Sequence, residues 1–184
     1  MATNTSTTPE GIEQARAYIE SLEANNFDWG MLVGDAFVRG MRDIGYKSTA
    51  FAVSELVDNS IQAGATWIDI AFGFDRGKKP ARLAVIDDAH GMEPMMTRAS
   101  LVWGAGTRGE NTSGMGKYGY GLPSASVSQC RRVTVFSRTS ETGWHSSYLD
   151  IDEIKNGAWN ENDRMQFPEP SAGEPPQWVI DHLK

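Results

Sequence analysis

Glycines are concentrated in one stretch of this chain, WGAGTRGENTSGMGKYGYG, at residues 103–121. Glycine weakens the interiors of helices and strands because it loses more backbone freedom on folding than other residues. Residues 87–121, which include this stretch, are therefore predicted to form a long, loop-rich segment inside the domain. Loops of this length are usually functional, as lids or ligand-binding loops.

Two parts of the glycine-rich stretch match G-x-G-x-x-G, at residues 104–109 and 114–119. A dinucleotide site needs a strand directly before these glycines and a helix directly after them. Polar loop sequence follows the first match and precedes the second, so we do not favour that interpretation. A P-loop is excluded because Tyr118 follows Gly116-Lys117 where serine or threonine is required.

The end of the stretch remains suitable for binding an anion. Gly119 and Gly121 lead into a predicted helix, and glycine-rich backbone before a helix N-terminus presents N–H groups to phosphate oxygens. A merely flexible surface loop is the alternative.

Composition limits the classes of protein to consider. The chain has 184 residues, 40% of them hydrophobic, and a net charge of −7. This length suits one domain that buries about 70% of the surface of its unfolded chain. The single cysteine, Cys130, excludes a disulfide framework and a multi-cysteine zinc site. The negative charge argues against a surface that coats nucleic acid unaided.

We expect a disordered tail over residues 1–9 and one domain over residues 10–184. No run of about 20 apolar residues is present, and the start MATNTSTTPE lacks a basic region and an apolar region. We therefore expect a cytoplasmic protein with no membrane segment.

Hydrophobic periodicity and turn signals predict an α+β fold. We expect a two-layer sandwich in which helices cover one face of a mixed, mostly antiparallel sheet. The strongest helix begins at Ser48 or Thr49 and ends at Gly64, with an apolar stripe of Val53, Leu56, Val57 and Ile61. The other predicted helices cover residues 10–25, 33–41 and 124–128, and the predicted strands cover 66–74, 81–86, 132–138 and 144–151.

Two groups of polar residues could carry chemistry. Glu55 and Asn59 are four residues apart and share a helix face near the apolar stripe, with Asp58 beside them. A glutamate can deprotonate water, and an asparagine oxygen is a hard ligand suited to magnesium. Asp87, at the end of the strand LAVI, could accept a hydrogen bond from an exocyclic amine. Taken singly, the first group is better explained as the solvated face of an amphipathic helix, and the second as a strand terminus with a turn.

Together, three segments resemble the GHKL superfamily of ATPases, which includes gyrase, the large heat-shock chaperones, histidine kinases and MutL. The segments are AVSELVDNSIQAGA, IDDAHGM and GMGKYGYGLPSAS, in the family's order and spacing over residues 48–138. The residues of these segments are most similar to those of the MORC and MutL branches. The resemblance implies the Bergerat fold with an ATP lid loop, and the cofactors ATP and Mg²⁺.

The resemblance also implies roles for individual residues. Glu55 would be the general base, Asn59 would coordinate magnesium, Asp87 would bind the adenine amino group, and Met92 would pack on the base beside Gly91. The lid hinge and the phosphate-binding turn would comprise Gly114, Gly116, Lys117, Tyr118, Gly119, Tyr120, Gly121 and Leu122.

Two positions depart from the family's motifs, and a third, His90, lies in a variable position of one motif. Ala89 replaces the first glycine of the D-x-G-x-G pattern, and Gln62 replaces an aspartate found in many relatives. The methyl group of Ala89 is small enough to be tolerated, whereas Gln62 would alter the water network near the adenine. We interpret His90 as a turn residue.

The implied function is ATP binding with slow, magnesium-dependent hydrolysis. In such relatives ATP closes the lid and promotes dimerisation of a larger protein, whose client is a protein or DNA bound by other regions. We expect this chain to be cut short at its C-terminus. Histidine-kinase-type phosphotransfer and a non-hydrolysing nucleotide-binding interaction module are the alternatives.

Overall fold

The structure is a computed structural model, and it describes residues 34–74, 80–105, 119–161 and 164–183. The predicted tail at residues 1–9 and the predicted helix at 10–25 lie outside the described residues. The same holds for most of the glycine-rich stretch, residues 106–118.

Two helices open the described part of the chain. Helix α1 spans Gly34–Ile44 and helix α2 spans Thr49–Gln62, close to their predicted bounds. Ser48 caps α2, because its side chain accepts a hydrogen bond from the backbone N–H of Phe51. Gly64 follows the C-terminal end with φ +83°, a conformation that glycine adopts without steric cost.

The buried face of α2 differs from the predicted apolar stripe. Its buried residues are Ala52, Glu55 and Ser60, whereas Ile61 is 58% exposed. The prediction for Ile61 was wrong because tertiary packing turns the small and polar row of the helix inward.

A hairpin follows α2. Strand β1 (Ile68–Phe74) pairs antiparallel with strand β2 (Pro80–Asp87), with Ile68 opposite Asp87. The alternation predicted for β1 is present, but the apolar row is the more exposed one. Ala71 is buried, while Phe72 is 49% exposed.

A second sheet contains three strands. Strand β3 (Arg132–Ser137) pairs antiparallel with β4 (His145–Asp150), and β4 pairs antiparallel with β7 (Ser171–Ala172). A third pair joins β5 (Asn160–Glu161) to β6 (Arg164–Met165). All strand pairings between described residues are thus antiparallel.

Four more helices complete the described architecture. Helix α3 (Pro94–Ala99) lies within the segment predicted to be loop-rich, and its signal was Pro94 in the first turn. Helix α4 spans Gly121–Gln129 and begins earlier than predicted. Helices α5 (Ile151–Lys155) and α6 (Gln177–Ile180) were not predicted. The α+β class is confirmed.

The main hydrophobic core lies between α1, α4, α5 and β4. Its buried members are Val38, Val127, Leu149, Ile151, Ile154 and Trp159. Phe37 and Trp103 extend the core with an edge-to-face contact, their ring centroids 5.4 Å apart. This core fixes α4, whose other face lines the site described next.

Candidate functional site

Most of the described residues predicted for the site line one open cavity of about 1280 Å³. The cavity is bounded by α2, by the end of β2 and by the start of α4. The predicted residues on its wall are Glu55, Asn59, Asp87, Gly91, Met92, Gly119, Gly121 and Leu122. The volume is ample for a nucleotide, since pockets for small ligands typically measure about 300–1,000 Å³.

Glu55 is buried, with only 8% of its surface exposed. A Cβ atom built on Gly121 would lie 2.0 Å from Oε1 of Glu55, so the carboxylate packs directly on the first residue of α4. Tyr46 lies near this carboxylate: burial raises the pKa of Tyr46, and the negative charge of Glu55 raises it further.

Asn59 lies one turn beyond Glu55 and lines the same cavity. Asp58, next to it, is exposed. This arrangement agrees with the predicted shared face of Glu55 and Asn59. Gln62, at the end of α2, also lines the cavity.

Asp87 is exposed at the end of β2, and both of its carboxylate oxygens have partners. The Ser60 hydroxyl donates to Oδ2 at 2.9 Å, and the backbone N–H of Ala89 donates to Oδ1 at 3.0 Å. The first contact joins α2 to β2, and the second forms a tight turn after the strand. Asp87 is therefore oriented while remaining open to a ligand.

The neighbouring Asp88 has a different role. Its Oδ1 accepts from the backbone N–H groups of Thr66 and Trp67, both at 2.8 Å, and its Oδ2 accepts from the Thr66 hydroxyl at 2.6 Å. These bonds, the Thr66 hydroxyl first, lower the pKa of Asp88. Asp88 thus ties the beginning of β1 to the end of β2.

The turn at Gly91 is held against β3. Gly91 has φ +74°, and a Cβ atom on it would lie 1.9 Å from the carbonyl oxygen of Arg138. The backbone N–H of Met92 donates to Oγ of Ser137 at 2.8 Å. His90 is exposed in this turn, as predicted, with Nδ1 2.6 Å from the carbonyl oxygen of Gly91. Only glycine fits position 91 without moving the backbone.

The two flanks of the glycine-rich stretch meet at the cavity. The backbone N–H of Gly104 donates to the carbonyl oxygen of Gly119 at 3.3 Å, and Gly119 has φ +65°. Tyr120 is 45% exposed and precedes α4, and no side chain in the described part of the chain caps that helix. The start of α4 therefore presents backbone N–H groups and partial positive charge to the cavity.

Four predicted site residues, Gly114, Gly116, Lys117 and Tyr118, lie outside the described residues. Their assigned roles stay predictions.

Two residues that position the site were not predicted from the sequence. Ser60 and Ser137 hydrogen-bond to Asp87 and Met92 respectively. Ser60 could have been noticed, because it follows Asn59 on the same helix. Ser137 is distant in sequence from Met92, and no periodic pattern marks it.

The donor set suits magnesium bound with a nucleotide better than a protein-only metal centre. Among the described residues, no three histidine, cysteine, aspartate or glutamate side chains are grouped to hold a metal ion. Magnesium is commonly held by one or two protein oxygens together with phosphate oxygens. The amide oxygen of Asn59 on the cavity wall fits that pattern.

A family model described as "Histidine kinase-, DNA gyrase B-, and HSP90-like ATPase" matches residues 46–172. The match covers all three sequence segments and most of the described site. No curated protein matches the chain significantly.

The chain belongs to this ATPase family, and the predicted GHKL membership is confirmed. Membership supports ATP binding. None of the helices within the described ranges has the length and apolarity needed to cross a membrane.

Proposed function

We propose that this protein binds ATP with magnesium and hydrolyses it slowly, with Glu55 as the general base. The proposal rests on two carboxylates that line one cavity but differ in burial. Glu55 is buried beside the start of α4, whereas Asp87 is exposed beside Ser60, about 7.5 Å further along α2. A shielded base and an open recognition group suit hydrolysis of a bound nucleotide.

In the proposed reaction, a water oxygen attacks the γ-phosphorus of ATP. The water's proton passes to the Glu55 carboxylate, and the bond to the β–γ bridging oxygen breaks to release ADP and phosphate. Magnesium, when bound to Asn59, supplies positive charge that offsets the charge of the phosphates.

The opposite part of the cavity suits the adenine ring. Asp87 accepts a hydrogen bond from the exocyclic amine, and Met92 packs on the base. The hydroxyl of Ser60 and the N–H of Ala89 hold the carboxylate ready for this contact. Because each carboxylate oxygen accepts more than one hydrogen bond, the amine does not displace these partners.

The phosphates are proposed to bind at the start of α4, at backbone N–H groups of residues 118–122. Oriented N–H groups and the helix dipole favour negative charge at this end of the helix. They supply positive charge that offsets the phosphates locally, although the whole chain is acidic. Lys117 is a further candidate contact to the phosphates.

At the level of the whole protein, we propose ATP-dependent dimerisation of a MORC- or MutL-like assembly, accompanied by lid closure. Native mass spectrometry of the full-length protein, with and without a non-hydrolysable ATP analogue, tests this. We expect a dimer with the analogue; a full-length protein that stays monomeric at saturating analogue contradicts the dimerisation.

The hydrolysis proposal is tested by phosphate release from the wild type and from Glu55→Gln. We expect Glu55→Gln to lower turnover by about 100-fold or more, the usual contribution of a general base, while binding of an ATP analogue is kept. Asp58→Asn is the matched control, because Asp58 is an exposed carboxylate on the same helix.

Two results would contradict the proposal. Equal turnover in the wild type and Glu55→Gln would contradict the role of Glu55 as the general base. Analogue binding without turnover in the wild type would favour a non-hydrolysing module, and radiolabelled phosphate retained on the protein would favour phosphotransfer.

A further inference from the structure

The carboxylate of Asp87 is held from two sides at the edge of the cavity. The Ser60 hydroxyl lies 2.9 Å from Oδ2, and the backbone N–H of Ala89 donates to Oδ1 at 3.0 Å. The backbone at this point is held as well, because the side chain of the next residue, Asp88, is bonded to the segment before β1. Ser60 thus supplies a side-chain restraint on Asp87, and Ala89 supplies a backbone restraint.

The Ser60 hydroxyl has one proton and two acceptors within reach. Its Oγ lies 3.2 Å from the carbonyl oxygen of Leu56 and 2.9 Å from Oδ2 of Asp87. The shorter contact is to the charged acceptor, and hydrogen bonds to charged acceptors are the stronger ones. If the proton turned to Leu56, two acceptor oxygens would face each other at a residue that is only 6% exposed, and this arrangement is costly. The proton is therefore committed to Asp87.

This commitment fixes what the Asp87 carboxylate offers to a base. Both donors that contact it, the Ser60 hydroxyl and the Ala89 N–H, direct their protons at its oxygens. The remaining lone pairs accept hydrogen bonds and donate none. Adenine carries an amine donor at C6, whereas guanine carries an acceptor oxygen there. A carbonyl oxygen in the place of the amine would face a carboxylate with no proton between them, and such a mismatch opposes binding.

We propose that Ser60 sets the selectivity of this site for a 6-amino purine over a 6-oxo purine. This inference rests on the ATP-binding part of the proposed function. Ser60 is a positioning residue that acts through Asp87 and needs no contact with the base. Without its hydroxyl, the carboxylate is free to turn, so that it no longer points at an amine and no longer opposes a carbonyl oxygen.

Ser60→Ala tests the inference through the affinities of two nucleotides. Titration calorimetry measures the Kd of non-hydrolysable ATP and GTP analogues in the presence of Mg²⁺. We expect the wild type to bind the ATP analogue about 100-fold more tightly or better, because a site built for a hydrogen bond rejects an analogue that lacks it. Ser60→Ala should lower this ratio about tenfold, the effect of losing one hydrogen bond to a charged group. Since both analogues share the ribose and the triphosphate, general damage to the site leaves the ratio unchanged.

Ser54→Ala is the matched control. Ser54 lies on the same helix, is exposed outside the described cavity wall, and donates to the carbonyl oxygen of Ala50 at 2.9 Å. This contact has the same geometry along the helix as that of Ser60 with Leu56, but it does not involve Asp87. We expect both Kd values to match the wild type.

A double variant shows whether Ser60 acts through Asp87. If it does, adding Ser60→Ala to Asp87→Asn should change the ratio of the two Kd values by less than about twofold, because the partner is already altered. An effect as large as in the otherwise wild-type protein would contradict action through Asp87.

The remaining outcomes also decide the inference. A wild type without preference, or an unchanged or larger ratio in Ser60→Ala, contradicts it. A Ser60→Ala protein that does not fold assigns Ser60 a structural role and contradicts it too. Phosphate release by the wild type separates the two proposals. If the wild type binds and hydrolyses ATP while Ser60→Ala keeps the ratio, only the inference fails; if the wild type does not bind the ATP analogue, both fail.

Discussion

The two carboxylates of the cavity, Glu55 and Asp87, occupy contrasting environments. Glu55 is 8% exposed and packs on Gly121, whereas Asp87 is exposed and is oriented by a hydroxyl and a backbone N–H. A base that must act on one water benefits from shielding and a fixed orientation. A group that recognises a ligand must remain accessible. Burial, rather than residue type, therefore separates the two proposed roles.

The largest effect is expected where Glu55 meets α4. Gly121→Ala would place a methyl group on Oε1 and displace the carboxylate, since the built Cβ lies 2.0 Å away. We expect turnover to fall about 100-fold, as displacements near 1 Å can cause. Phosphate release at saturating ATP measures this.

Helix stability should not suffer in this variant, because alanine favours helices more than glycine does. Gly143→Ala is the control, because no atom lies within 4 Å of its built Cβ. Full turnover in Gly121→Ala would contradict the need for a fixed Glu55 carboxylate, because Glu55 would then tolerate displacement.

A smaller effect is expected at the exposed carboxylate. Asp87→Asn removes the charged acceptor proposed for the adenine amine, so the affinity for ATP should fall about tenfold or more. Titration calorimetry with a non-hydrolysable analogue measures the Kd. The change should fall mainly on binding and not on kcat at saturating ATP.

The adjacent residue offers a close control for this prediction. Asp88→Asn removes the same charge one position away, where the oxygens are already bonded to Thr66 and Trp67. We expect its Kd to match the wild type. Equal weakening by both substitutions would mean that general charge, and not the position of Asp87, controls affinity.

The smallest expected effect is a pH dependence of stability from Asp88. Its pKa is lowered in the folded state, chiefly by the Thr66 hydroxyl, from an unfolded value of about 3.9. The ionised form is thus favoured in the folded state, so the stabilisation is fully present above the unfolded pKa. It is lost as pH falls through that value toward the lowered folded one.

Urea midpoints measured from pH 7 down to about pH 3 test this dependence. Asp88→Asn should show a shallower loss of stability with acid than the wild type, whereas the exposed Asp58→Asn should follow the wild type. Identical acid profiles for Asp88→Asn and the wild type would contradict a stabilising role of the Asp88 hydrogen bonds that join β1 to β2.

The sequence predicted a large part of the fold and of the site. The bounds of α1, α2, β1, β3 and β4 followed from periodicity, caps and turns, because these signals act within a few residues. The spacing of Glu55 from Asn59 placed both on one face of α2, and both line the cavity. The strand end at Asp87 was equally local and was also predicted.

Other features could not be predicted from local pattern. The apolar stripe of α2 suggested that Ile61 is buried, yet Ser60 is buried and Ile61 is exposed. Helix α4 starts at Gly121, earlier than predicted, although glycine disfavours helices. In each case, contacts between distant segments outweigh the local preference.

The sequence alone determined α1, α2 and strands β1 to β4, the family and the set of polar residues available to the site, because each depends on residue type and short spacing. The tertiary structure alone decided which carboxylate is shielded and which is open. It also decided that Gly121 meets Glu55. Burial and hydrogen bonding between residues far apart in sequence exist only after packing, since no local pattern encodes the approach of α4 to α2.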